Sequence, residues 1–101
     1  MSNNKIALLD LLLFRGEELS IIARIYGAKN LRVYGSVARR EDNDQSDVDL
    51  LVDMDEESDF LDLVRFKKEL EDLFGRTINI TTVPALQPIL AERILKEAVS
   101  L

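Results

Sequence analysis

The chain has 101 residues and 11.5 kDa, enough for one compact domain over 1–101 that buries somewhat under about two-thirds of its unfolded surface. A composition of 47% hydrophobic and 32% charged residues, with four Gly and two Pro, excludes disordered, collagen-like and fibrous classes. With no Cys and no His there are no disulfides, thiolate nucleophiles, imidazole bases or His- or Cys-ligated metals, so any catalysis must use carboxylates, hydroxyls, Lys, Arg or a bound oxygen-liking ion. The net charge of −6 argues against a binder of duplex nucleic acid. Eleven acids and no Lys or Arg lie between Glu41 and Asp62, and elsewhere 13 basic residues outnumber the remaining eight acids. Such an anionic centre with basic flanks suits a metal-phosphate site, although a run of acids is more often a solvated loop.

In chain order, the apolar stretch Ile6–Phe14 is split by Asp10, lacks a small-residue cleavage pattern and is too short to span a bilayer. It is expected to form a short helix of its own or an extension of the helix that follows, the protein to be cytoplasmic with no membrane association, and the surplus Leu near Leu9 and Leu12 to offer a partner-binding face. Leu19, Ile22, Ala23, Ile25 and Tyr26 recur at helical spacing before Gly27, which predicts a helix over 17–26. Leu31–Tyr34 reads as a short buried strand ending at Gly35, followed by a very short helix. Val48, Leu50 and Val52 alternate with acids in a second strand, and Asp53 fits a charge that protects a sheet edge. Ser58 or Asp59 caps a helix whose stripe is Leu63, Phe66, Leu70 and Leu73 and which stops at Gly75. Thr77–Thr81 is β-branched and alternating, a third strand. Pro88 opens a last helix that turns Leu90, Ile94, Leu95 and Ala98 inward. The expected fold is α+β in the order α-β-α-β-α-β-α, a small mixed sheet of about three strands flanked by helices.

The chemistry concentrates in residues 35–50. Period two on a strand sets Asp47 and Asp49 on one face with Cα atoms roughly 6.5 to 7 Å apart. Their repulsion is relieved by a divalent cation, for which magnesium is the natural candidate. Upstream, the strand-Gly35-Ser36-helix junction offers backbone N–H groups and a hydroxyl to a phosphate, to which Arg39 and Arg40 can add charge-assisted bonds. An Asp-x-Asp or a Gly-Ser alone is common. A Gly-Ser after one strand, ten residues before an Asp-x-Asp that opens the next, is far more demanding.

That joint pattern resembles the Gly-Ser-x10-Asp-x-Asp signature of the DNA polymerase β-like nucleotidyltransferases. The chain's size, and its ending Ile94-Leu95-Lys96-Glu97-Ala98-Val99, make it similar to the minimal nucleotidyltransferases, the MNT antitoxins paired with HEPN ribonuclease toxins. The resemblance implies that Gly35 and Ser36, with Arg39 nearby, contact the triphosphate of ATP, and that Asp47 and Asp49 hold magnesium. It also implies that Ser46 orients Asp47 and that AMP passes to a tyrosine hydroxyl of the HEPN partner, which neutralises it. The third catalytic carboxylate of the family falls at Asn79, which is neutral, a poorer ligand for a hard cation and no base. Two functions therefore stand side by side: a magnesium-dependent adenylyltransferase, and an antitoxin that acts by stoichiometric binding.

Overall fold

The structure, a computed structural model, describes residues 6–101. The amino-terminal apolar stretch forms α1 (Leu8–Phe14), and α2 (Gly16–Ile25) follows directly, with acidic Glu17 and Glu18 in its first turn. Leu9, Leu12, Leu19 and Ala23 are all buried in the core. Leu9 and Leu12, expected at a partner-binding face, are therefore core residues: the large apolar side chains that α1 leaves exposed are Leu13 and Phe14. No helix among the described residues is long and apolar enough to cross a membrane.

β1 (Ala28–Tyr34) begins three residues earlier than its apolar run suggested, and a register shift between Lys29 and Arg32 accommodates Asn30 at φ +54°. The very short helix is α3 (Gly35–Ala38). β2 (Val48–Met54) buries Val48, Leu50, Leu51 and Val52, a run too apolar for a strand with one wet face. It lies inside the sheet, antiparallel to β1 and parallel to β3 (Ile78–Thr82). Asp53 is consequently not an edge charge. It faces β1, where it accepts from Arg32 at 3.1 Å and from Asn30 at 3.0 Å.

The parallel β2–β3 pair needs a crossover, which is α4 (Phe60–Phe74). Asp59 is its N-cap: its carboxylate accepts from Asp62 N–H while Asp62 accepts from Asp59 N–H, and Gly75 closes the other end in the left-handed conformation. Phe66 and Leu70 are fully buried, but Leu73 is 40% exposed. A one-turn 3-10 helix, Val83–Ala85, leads to α5 (Pro88–Glu97), where Ile94 alone is buried while Leu90 and Leu95 remain substantially exposed. The inward stripe expected for this helix is thus narrower than its sequence suggests, with Ile94 the one fully inward residue of α5. A two-residue strand, β4 (Val99–Ser100), then pairs antiparallel with β1, so the sheet has four strands in the order β3-β2-β1-β4 where about three were expected. A segment of that length carries no alternation to read.

Candidate active site

Strand register assembles the site. Tyr34, the last residue of β1, pairs with Asp49 of β2, and Asp49 pairs in turn with Asn79 of β3, forming one rung across three strands. Asp47 lies just before β2, so period two returns its side chain to the same face. Asn79 bridges the two acids: its Nδ2 donates to Asp49 Oδ1 at 3.0 Å and to Asp47 Oδ2 at 3.3 Å. The carboxylates converge on a single donor, which is where a cation would relieve their repulsion.

Gly35 begins α3 immediately beyond Tyr34, at φ +76°. A Cβ at this position would lie 2.5 Å from Asp49 Oδ2, so glycine is required both by backbone conformation and by the close approach of the turn to the acid. Ser36 follows in the first turn, half-buried, and its hydroxyl has no protein partner among the described residues. The chain then loops back to β2. Glu41 N–H donates to Ser36 C=O, Asn43 N–H to Ser46 Oγ, Gln45 N–H to Asn43 Oδ1, and the Arg76 guanidinium to the carbonyls of Asn43 and Ser46. Ser46 was expected to orient Asp47. Its hydroxyl instead accepts from Asn43, closing the turn that delivers Asp47.

The two arginines part company. Arg40, the second residue beyond the end of α3, sits at φ +61°, and its side chain turns back to Asp10 in a two-pronged pair at 2.7 and 3.0 Å. It is thus engaged away from the anion it was expected to help bind. Arg39 stays beside the turn, bonded to Glu41 at 2.9 Å and to both oxygens of Glu97 at 2.9 and 3.1 Å. Glu97 also accepts from Gly35 N–H at 2.7 Å. Sequence reasoning gave Glu97 no role, since 62 residues separate it from the turn and no spacing joins them. Burial raises its pKa, but the bonds from Gly35 and Arg39 outweigh that and hold its carboxyl below the usual range. At Tyr34, burial, then the charges of Asp49 and Glu97, push the hydroxyl up.

Among the described residues no group of three or more acids could hold a metal ion. The donors at hand are Asp47 and Asp49, with Asn79 in the third place. Oxygen donors of this kind fit magnesium, which keeps several waters and needs few protein ligands. A half-turn of the Asn79 amide would present its Oδ1 to such an ion in place of the N–H donor.

A Gly-Ser turn that ends one strand is thus set against an Asp-x-Asp that opens its neighbour. Residues 17–101 match the family described as Polymerase beta, Nucleotidyltransferase, and the chain belongs to that family. It is 43% identical over 74 residues, 73% of this chain and 80% of the relative, to a provisionally assigned protein adenylyltransferase of Methanocaldococcus jannaschii. It is 32% identical over 74 residues, 73% of this chain and 75% of the relative, to the protein adenylyltransferase MntA of Thermococcus cleftensis. Among solved structures it superposes on a provisionally assigned minimal nucleotidyltransferase with TM-score 0.82 and 38% identity, covering 98% of this chain and all of that one. It shares its fold with a toxin–antitoxin crystallised with AMP-PNP, at TM-score 0.70 and 11% identity over 84% of this chain and 70% of that one.

Proposed function

We propose that the chain is a magnesium-dependent protein adenylyltransferase that transfers AMP from ATP to a tyrosine hydroxyl of a cognate HEPN ribonuclease toxin, and so neutralises it. The convergence of Asp47 and Asp49 beside the Gly35-Ser36 turn carries this reading. The two acids and Asn79 would hold magnesium, which supplies charge neutralisation on the phosphates and the leaving pyrophosphate. The Ser36 hydroxyl is free to bond a phosphate, and Arg39 contributes positive charge at the turn. In the transfer, the tyrosine oxygen forms a bond to the α-phosphorus as the bond to the bridging oxygen breaks and pyrophosphate leaves. The phenolic proton is lost to water, because Asn79 cannot accept it.

Asn79 is the observation that favours the second reading, a protein that keeps the fold and silences its partner by binding it. Both readings are tested by incubating chain and toxin with ATP and magnesium, weighing the toxin intact and assaying its ribonuclease activity. The mass of one added AMP with loss of ribonuclease activity supports transfer. An unmodified but silenced toxin supports binding, and an unmodified, active toxin overturns both.

A further inference from the structure

We infer that Glu97 is a positioning residue for the nucleotide turn, and that the Gly35 N–H serves this internal bond and is not a phosphate ligand. The inference rests on the nucleotide-binding reading above for its consequence, but not for its geometry. Glu97 Oε2 takes the Gly35 N–H at 2.7 Å, and the same carboxylate takes Arg39 Nη1 through both oxygens at 2.9 and 3.1 Å. The side chain is only 16% exposed, and it has these partners because two elements hold its backbone. Ile94, one turn earlier, is buried in the core, while Val99, two residues later, pairs with Val33 of β1, which is itself two residues before Gly35. The carboxylate is therefore anchored from both directions and acts as a bracket between the end of α5 and the end of β1.

Its effect on the site follows from charge. Gly35 must stay at φ +76° with no Cβ, in contact with Asp49, and the charge-assisted bond from its N–H helps hold it there. Arg39 is held by the same group, so its guanidinium has a fixed place before any nucleotide arrives, which lowers the ordering cost of binding. A phosphate on the Gly35 N–H would have to sit against the ionised Glu97. The phosphate contacts consequently fall to Ser36 and to the outer edge of Arg39, and Gly35 serves as the former of the turn.

Glu97→Gln keeps the shape and an acceptor but loses the charge, and Glu97→Asp keeps the charge but is one methylene too short to reach both partners. Three readouts apply to each: the melting temperature, the ATP-magnesium affinity by calorimetry, and the chemical shift and hydrogen exchange of the Gly35 amide. In the unaltered chain the Gly35 amide should resonate far downfield and exchange slowly. In folded Glu97→Gln it should move upfield and exchange faster, and ATP affinity should fall about ten- to a hundredfold, with Glu97→Asp recovering part of the loss. Unchanged affinity in a folded Glu97→Gln chain overturns the assignment, and tighter affinity overturns it in favour of a carboxylate that competes with phosphate. An unprotected Gly35 amide in the unaltered chain overturns it whether or not either variant folds. If the unaltered chain binds no ATP while its Gly35 amide is protected, the proposed function fails and the bracket stands.

Discussion

Asn79 donates its amide to Asp49 across the β2–β3 rung at 3.0 Å, and the same nitrogen reaches Asp47 at 3.3 Å. A neutral donor thus fills the place at which the sequence resemblance implied a third carboxylate. Replacing it in Asn79→Asp brings three acids together and removes the donor. Without metal this variant should melt at a lower temperature than the unaltered chain, and magnesium should restore it more strongly. Transfer to the partner should rise by about tenfold or more, since a positioned general base contributes about 10²- to 10⁴-fold and a phenol acceptor needs less help than an alcohol. Equal initial rates at saturating ATP and magnesium would show that no base is needed at this position.

Asp47→Asn and Asp49→Asn should abolish metal-dependent ATP binding at little cost in stability, because each relieves like-charge repulsion as it removes an acceptor. Calorimetry with and without magnesium checks the first part, and a melting curve the second. Unaltered magnesium-ATP affinity in either variant would remove the pair from the metal site.

Gly35→Ala confronts a left-handed backbone and a contact at once. A Cβ at φ +76° costs about 1–2 kcal/mol, and it must also displace Asp49 Oδ2 from 2.5 Å. The variant should fold with reduced stability and lose ATP binding out of proportion to that reduction. A chain with native nucleotide affinity would show that the turn and the acid are not coupled.

At Arg40 two effects oppose each other: a non-glycine residue at φ +61°, and the pair with Asp10. Because that pair is at the surface and screened by salt, relief of the backbone should prevail. Arg40→Gly should melt at or above the temperature of the unaltered chain, and Arg40→Ala below Arg40→Gly. A lower melting temperature for the glycine variant would show that the ion pair outweighs the backbone term.

Leu12 and Phe14 lie on one short helix with opposite fates, at 1% and 88% exposed. Leu12→Asp buries an unpaired charge and should cost about 4 kcal/mol or more, which leaves a chain of this size largely unfolded by circular dichroism. Phe14→Asp should fold normally, and if the amino-terminal helix meets the partner, it should weaken the complex. A folded Leu12→Asp chain would contradict the packing of α1 against the core.

Much of this protein is legible without coordinates wherever the signal is local. Gly27 and Gly75 stop helices, Asp59 caps one, and the helix expected over 17–26 forms at 16–25. The Gly-Ser to Asp-x-Asp spacing is also local, because it counts the residues of one loop between two paired strands, and so Gly35, Ser36, Asp47 and Asp49 were nameable at once. Register then had to place Asn79 on the Tyr34–Asp49 rung, to which the alternation in Thr77–Thr81 pointed only by way of the family resemblance. What tertiary structure alone decided is every contact between residues far apart in the chain. β2 lies inside the sheet, which turned Asp53 from an edge charge into a partner of Arg32. Leu9 and Leu12 are core because α1 packs inward, although their apolar character suits an interface equally well. Arg39 and Arg40 are adjacent and chemically identical, yet a left-handed residue sends one to Asp10 and leaves the other at the turn. Glu97 reaches Gly35 because Ile94 is buried in the core and β4 pairs with β1, and hydrogen bonding across 62 residues leaves no period in the sequence to detect.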